Sequence, residues 1–289
     1  MDLGRPGAAV NPGSPAGLFD GFLDDAAVFP PGLKPLAQAV PDHAVHLASG
    51  YGGLVGPLVL AAPALADLGA VVEQPLDLAV TAPGGPAQLP DARARAADLP
   101  VRLAGFEVAM PAGLGVTEFF TGLEAAGDVP VFVEVPRDDR RAEVIATCAK
   151  TGHHAKFRTG GVTAELYPDE AELAAAVVAV VRAGVPFKAT AGLHHALRNT
   201  DPETGLEQHG FLNLLLAAGA AARGAGQDEL IALLAERDGA RVAALVSEVD
   251  AEARAWFRSF GTCSIIEPVT ELADLGLVPA AALNGGVTA

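Results

Sequence analysis

Short apolar runs alternate with amphipathic segments along most of this chain. The runs have the length and the Gly or Pro boundaries that are typical of buried parallel strands. There are eight of them, at 22–29, 52–60, 76–82, 101–110, 129–135, 154–160, 185–191 and 257–266. Between them, segments such as DARARAADL and TEFFTGLEAAG repeat apolar residues at intervals of three and four, as amphipathic helices require.

The repeated strand–helix unit predicts an α/β fold, and its repetition favours a single (β/α)8 TIM barrel. An open doubly wound sheet uses the same units, but no GxGxxG turn follows the first run, which weakens the dinucleotide-binding version. The Gly-, Pro- and Ala-rich residues 1–18 are predicted to be a flexible leader, with the barrel at 19–289. A helical insertion at about 199–255 separates strands seven and eight, and it either covers the active face, forms a subunit contact or adds helices outside the barrel.

Composition and charge narrow the possible partners. Nineteen basic against 35 acidic residues give 19 − 35 = −16, a balance that repels nucleic acid and anionic membrane surfaces. Cys148 and Cys263 match no metal or redox spacing, and Cys263 is interpreted as a small buried filler. We therefore expect a cytoplasmic protein with no nucleic acid or membrane partner, and a homo-oligomer stays open.

Two lysines carry the first candidate chemistry. Only four lysines occur, and Lys156 and Lys188 both fall inside predicted strands, where a buried ammonium is costly unless it is paired or deprotonated. Two neighbouring cations depress each other's pKa, which would give one lysine a nucleophilic amine for Schiff-base chemistry. The alternative is that the lysines bind phosphate or pair with Glu107 and Glu134 on neighbouring strands.

Further polar residues fall at the same predicted strand ends. Asp24 and Asp25 are adjacent in the first strand, so one should face into the barrel and the other outward. Arg158 and Arg198 suit a carboxylate or phosphate, although Arg198 also suits a surface salt bridge. His194 and His195 follow a glycine and are candidates for substrate contact or proton transfer. With His209 they could instead hold a metal in a hydrolase or isomerase.

Several motifs, in order, give the chain a resemblance to the deoxyribose-phosphate aldolases, the class I Schiff-base aldolases on a (β/α) barrel. HAKFRTGG resembles that family's K-x-S-T-G motif at strand six, with Lys156, Thr159 and Gly160 in matching positions and Gly161 following. VPFKATAGLHHALR is similar to the strand-seven K-x-x-G-G-[IV]-R motif, through Lys188, Gly192 and loosely Arg198.

FGTCS resembles the family's eighth-strand GTSS, FEVAM its acidic strand-four stretch, and LDDAAVFPPG its opening strand. Arg158 in place of a small residue, the His194–His195 pair and the insertion depart from the pattern.

The resemblance implies a distant relative that acts as a carbon–carbon lyase on a small anionic carbonyl or sugar-type metabolite, without a cofactor. Lys156 would form the imine and Lys188 would lower its pKa, while Glu107, Glu134 or a histidine would move protons. The implied anion site is formed by Gly261, Thr262 and Ser264. A non-catalytic barrel that binds an anionic metabolite is the remaining alternative.

Overall fold

The structure, a computed structural model, describes residues 17–285 and contains a closed barrel of eight parallel strands with helices between them. This confirms the predicted TIM barrel with its insertion between strands seven and eight. The barrel strands are β1 (Leu23–Asp25), β2 (Val55–Ala61), β3 (Leu76–Ala82), β4 (Val101–Ala109), β5 (Val131–Glu134), β6 (His154–Arg158), β7 (Phe187–Thr190) and β10 (Phe257–Thr262). Around the barrel they follow the order β1-β10-β7-β6-β5-β4-β3-β2, so β1 and β10 close it.

The helices follow the strands in the order that the apolar periodicity predicts. They are α1 (Leu36–Ala48), α2 (Leu65–Leu68), α3 (Leu89–Ala97), α4 (Val116–Leu123), α5 (Arg141–Thr151), α6 (Glu170–Arg182), α7 (Phe211–Ala222), α8 (Gln227–Ala235), α9 (Gly239–Ser247), α10 (Ala253–Trp256) and α11 (Ile266–Asp274). A small antiparallel hairpin, β8 (Asn199–Thr200) and β9 (Glu207–Gln208), lies between β7 and α7.

Some strands are shorter than the apolar runs that predicted them, because side chains near their ends compete with the sheet for backbone partners. At the end of β1, Asp25 Oδ1 accepts the backbone N–H of Ala27 at 3.2 Å, which turns the chain. At the end of β10, the Thr262 hydroxyl donates to the Ser264 carbonyl at 2.8 Å. The freed segments become loops at the carboxyl end of the barrel.

The insertion comprises two parts with different surroundings. The hairpin lies over the carboxyl end of the barrel, where Asp201, Leu206 and Gln208 reach the cavity described below. Helix α7 instead packs on the outer wall, where Phe211 stacks on Phe260 with ring centroids 4.6 Å apart. Covering the active face and adding outer helices, which the sequence offered as alternatives, are both present.

The predicted leader lies mostly outside the described residues, which begin at 17. Of its last two positions, Leu18 is fully buried and belongs to the hydrophobic core. None of the helices in the described range is long and apolar enough to cross a membrane.

Candidate functional site

Lys188 lies inside the barrel between two carboxylates from distant strands. Its Nζ donates to Asp24 Oδ2 on β1 and to Glu107 Oε1 on β4, both at 2.5 Å. Ser259 on β10 also donates to Asp24 Oδ2, at 2.7 Å. Gly56 leaves room for this carboxylate, because a Cβ at position 56 would lie 2.3 Å from Asp24 Oδ1. Asp24 therefore faces inward, as the alternation in β1 predicts.

Lys156 shares Glu107 with Lys188. Its Nζ lies 2.9 Å from Glu107 Oε2 and 3.1 Å from Glu134 Oε2. Sheet register sets this arrangement, because Glu134, Lys156 and Lys188 are directly opposite one another on β5, β6 and β7. One carboxylate thus bridges two buried ammonium groups, with a further carboxylate beside each.

Electrostatics favour the charged form of both lysines. Burial lowers the pKa of Lys156, but Glu107 and Glu134 raise it by more, so its pKa lies above the ordinary value. Burial likewise lowers the pKa of Lys188, and Asp24 and Glu107 more than offset it, so that pKa is also raised. Of the two alternatives that the sequence left open, pairing of the lysines with carboxylates is the one present, and mutual repulsion does not free an amine in the resting site. Repulsion by Lys188 lowers the pKa of Lys156 by less than Glu107 or Glu134 raises it.

The carboxylates respond in different directions. Burial raises the pKa of Glu107, but Lys156 and Lys188 lower it by more, to about 2. Burial raises the pKa of Asp24 above its ordinary value even though Lys188 and Ser259 oppose that shift. Glu107 is therefore a fixed anion, whose role is to hold both ammonium groups in place.

A cavity of about 760 Å³ opens above this cluster at the carboxyl end of the barrel. Lys156, Glu107 and Glu134 form part of its wall, whereas Lys188 and Asp24 do not line it. Of the residues predicted from sequence, the cavity brings together Glu107, Glu134, Lys156, Arg158, Gly161, Gly192, His194 and Gly261. Of the two buried lysines, only Lys156 is thus available to a ligand.

Arg158 lines the same cavity and is exposed. Within the described part of the chain, no carboxylate lies within salt-bridge distance of its guanidinium, which distinguishes Arg158 from the paired Lys156. Its five N–H donors are suited to an anionic ligand group.

Two predicted substrate residues near Arg158 have structural roles instead. Thr159 is fully buried, and its hydroxyl donates to the Ala191 carbonyl at 2.6 Å, which ties the end of β6 to the end of β7. A Cβ at Gly160 would lie 2.9 Å from the Gly192 Cα, so these two glycines allow the same strand ends to pack closely. Gly192 itself has φ +72°, a conformation that favours glycine.

Only one of the three residues of the implied anion site at the end of β10 lines the cavity. Gly261 lines the cavity, but Thr262 is buried and Ser264 does not line it. The side chain that reaches the cavity is Cys263, with its Sγ 3.1 Å from His194 Nδ1. The interpretation of Cys263 as a buried filler is therefore wrong, because its side chain lines the cavity. Burial raises the pKa of its thiol to about 11, so the thiol is protonated at neutral pH.

The three candidate metal ligands point to separate partners. His194 contacts Cys263, His195 Nδ1 pairs with Glu271 Oε1 at 2.6 Å, and His209 Nε2 contacts the Pro168 carbonyl at 2.8 Å. Across residues 17–285, no group of three or more His, Cys, Asp or Glu side chains is placed to hold a metal. The histidine metal cluster is therefore wrong, and His195 does not line the cavity.

Asp25 and Arg198 face away from the cavity. Asp25 pairs with His43 of α1 at 2.9 Å, on the outer side of β1, as the alternation predicts. Arg198 is buried, not on the surface, and its Nη2 lies 2.7 Å from Glu170 Oε1 at the start of α6. Neither residue is placed for the substrate-binding role that the sequence suggested.

Sequence reasoning missed much of the cavity wall. The hairpin supplies Asp201, Glu203, Thr204, Leu206 and Gln208, and the loops after β1 and β6 supply Phe29, Pro30, Pro31, Val162 and Tyr167. Loop position after a barrel strand was the available signal, because such loops form the active face of TIM barrels. It indicates a region, but not which side chains turn inward.

Comparison with known proteins adds no relative. A scan of the sequence against protein-family models and a search of curated proteins each gave no match.

Proposed function

We propose that the protein is a Schiff-base carbon–carbon lyase of the class I aldolase type, in which Lys156 forms an imine with a carbonyl substrate. The observation that supports this most directly is the position of Lys156: its ammonium lies at the wall of a large cavity, between Glu107 and Glu134. Glu134 provides a route for the proton that the amine must lose, and Glu107 keeps a negative charge beside the nitrogen. Barrels commonly carry catalytic groups at these strand ends.

The first step transfers a proton from the Lys156 ammonium to Glu134, which lies 3.1 Å away and also lines the cavity. The free amine adds to the substrate carbonyl carbon, and a proton passes from the nitrogen to the carbonyl oxygen to give a carbinolamine. Glu134 returns its proton to that oxygen, which leaves as water and gives the iminium ion. Glu107 is ionised in the resting site, because Lys156 and Lys188 lower its pKa to about 2, and Lys188 stays beside it when Lys156 loses its proton.

The bond between the α and β carbons of the bound substrate then breaks, and its electron pair moves toward the iminium ion. Glu134 removes the proton of the β-hydroxyl group, an aldehyde leaves, and an enamine stays on Lys156. Protonation of the enamine and addition of water release the second product. Glu134 is placed to return the proton, since it is the half-buried carboxylate of the cluster.

Lys188 is a positioning residue in this scheme. It does not line the cavity, and its contacts with Asp24 and Glu107 fix the carboxylate that holds Lys156. The scheme uses only side chains of the chain itself and a small anionic carbonyl metabolite. A cytoplasmic location suits the free cysteines Cys148 and Cys263.

Borohydride trapping tests the proposal. The purified protein is incubated with small aldehydes and ketones, reduced with borohydride and digested for peptide mass spectrometry. We expect one peptide, the one that contains Lys156, to gain the mass of the ligand less one oxygen atom. Lys156→Ala should remove the adduct, and Lys150→Ala, which changes an exposed lysine on α5, should leave it unchanged.

Mapping the adduct on the wild-type protein keeps the test valid even if Lys156→Ala folds poorly. Adducts spread over exposed lysines, or turnover without any adduct at Lys156, would overturn the proposal. Saturable ligand binding without an adduct or turnover would instead support the non-catalytic barrel that binds an anionic metabolite.

A further inference from the structure

Much of the cavity wall is apolar. Its side chains come from several elements that meet only at the carboxyl end of the barrel. They are Phe29, Pro31, Val59, Pro83, Val162 and Leu206. Ligand sites with walls of this kind bind the apolar part of a ligand, and a few polar groups fix its orientation. A volume of about 760 Å³ is large for a triose or pentose, which would leave apolar wall in contact with water.

Arg158 supplies the charge for one anionic group. Lys156 is already compensated by Glu107 and Glu134, whereas Arg158 has no salt-bridge partner among the described residues. The guanidinium matches a carboxylate through two parallel N–H···O hydrogen bonds. An anionic substituent of a bound ligand is therefore expected at Arg158.

The remaining charges disfavour a phosphate. Glu107, Glu134, Asp201 and Glu203 line the same cavity, so a second negative charge on the ligand would meet repulsion with little compensation. The β10 turn adds no positive charge, because Gly261 and Cys263, which line the cavity there, are uncharged, and the Ser264 backbone N–H points to Thr262 Oγ1 at 3.4 Å.

We propose that the site takes a carboxylated aldehyde or ketone with an apolar body of aromatic size, bound through Arg158, and not a short sugar phosphate. This inference rests on the proposed function for the identity of the reacting carbonyl. The binding preference itself follows from the cavity wall and from Arg158.

The first experiment measures binding without chemistry. Phenylbutanoate and phenylpropyl phosphate are titrated into the protein by calorimetry. Neither ligand has an aldehyde or ketone group that could form an imine. We expect phenylbutanoate to bind more tightly, and Arg158→Gln to weaken it about tenfold or more. Arg95→Gln on the outer helix α3 makes the same charge change far from the cavity and should have no effect. Tighter binding of the phosphate, or unchanged binding in Arg158→Gln, would overturn the inference.

The second experiment tests the apolar wall through the reaction. Trapping on Lys156 is compared for phenylpyruvate, pyruvate and glyceraldehyde phosphate, and we expect phenylpyruvate to react at the lowest concentration. Ala61→Phe narrows the cavity at the end of β2 and should reduce trapping of phenylpyruvate while pyruvate still reacts. Preference for glyceraldehyde phosphate would contradict the substrate class but leave the lyase intact. Phenylbutanoate binding that depends on Arg158, with no trapping by any carbonyl, would leave the ligand class intact and contradict the lyase.

Discussion

At the scale of single residues, the site depends on how a few buried charges compensate one another. Lys156 and Lys188 are both less than a tenth exposed, and each lies between two carboxylates. A buried ammonium group is tolerated when such pairing outweighs the cost of desolvation. The same pairing raises the pKa of Lys156, so a reactive amine has to be produced by moving a proton within the site.

This arrangement predicts how the reactivity of Lys156 depends on pH. Its raised pKa means that the ammonium form persists through neutral pH. The rate of acetylation of Lys156 by a small uncharged reagent should therefore increase at a higher pH than the rate for an ordinary lysine. Glu134→Gln removes one of the groups that raise this pKa, so the profile should move to lower pH. Peptide mass spectrometry of Lys156 across a pH series measures both profiles.

Glu118→Gln is the matched control, because Glu118 is exposed on α4 and does not line the cavity. Its Lys156 profile should coincide with that of the wild-type protein. If acetylation of Lys156 in the wild-type protein increases at a lower pH than acetylation of exposed Lys150, the compensation by Glu107 and Glu134 is contradicted.

The sequence identified these charged residues but not their protonation state. Lysine is rare in this chain, so two lysines inside apolar runs stood out, and the strand alternation indicated that one of Asp24 and Asp25 faces inward. Which carboxylate meets which lysine depends on barrel closure, which brings Asp24 to Lys188 across 164 positions of sequence. Without those contacts, the sequence left two alternatives open, repulsion between the lysines or pairing with Glu107 and Glu134.

At the scale of elements, the ends of β6 and β7 are joined by side chains that the sequence assigned to substrate. Thr159 bonds to the backbone after β7, and Gly160 packs against Gly192. The contact sets the position of the turn that follows Arg158, and so the position of Arg158 at the cavity. Short glycine motifs predict close packing, but they do not reveal whether the neighbour is a ligand or another strand.

Gly160→Ala tests this structural role. The added Cβ would lie 2.7 Å from Tyr167 Cε1 and 2.9 Å from the Gly192 backbone, so a shift of the strand ends is required. We expect a loss of about 1–3 kcal/mol of unfolding free energy, as for other overpacked sites. Urea unfolding measures it, with Gly53→Ala as the control, because a Cβ at Gly53 meets nothing within 4 Å. Equal stability of Gly160→Ala and Gly53→Ala would show that the strand ends are not packed this closely.

Periodicity predicted the elements of the barrel far better than their ends. All eight runs overlap a strand, because apolar runs between amphipathic helices are a strong local signal. The ends depend on single contacts, such as Asp25 Oδ1 with the Ala27 N–H, that periodicity does not contain. Since the loops that line the cavity begin at those ends, most of the cavity wall escaped prediction.

At the scale of the whole molecule, the inserted helices share the core of the barrel. Helix α7 is buried along most of its length and contacts β10 as well as α6, α8 and α10. Such a helix cannot detach without exposing apolar surface of the barrel wall. The insertion is therefore expected to unfold together with the barrel.

The single tryptophan of the chain makes this expectation measurable. Trp256 is the last residue of α10 and directly precedes β10, so its fluorescence reports on the junction of insertion and barrel. Far-ultraviolet circular dichroism reports on all helices and strands. If insertion and barrel form one cooperative unit, the two urea transitions should have the same midpoint.

Leu234→Ala sharpens the test, because Leu234 is fully buried on α8 and α8 packs against α6 and α7. Truncation of a buried leucine costs about 2–5 kcal/mol. In one cooperative unit, that cost moves the fluorescence and dichroism midpoints to lower urea by the same amount. Leu47→Ala, at a 45% exposed position on α1, should move neither midpoint appreciably. The opposite result would be a fluorescence midpoint at lower urea with an unchanged main dichroism transition. It would show that the inserted helices unfold apart from the barrel, and that the barrel is stable without them.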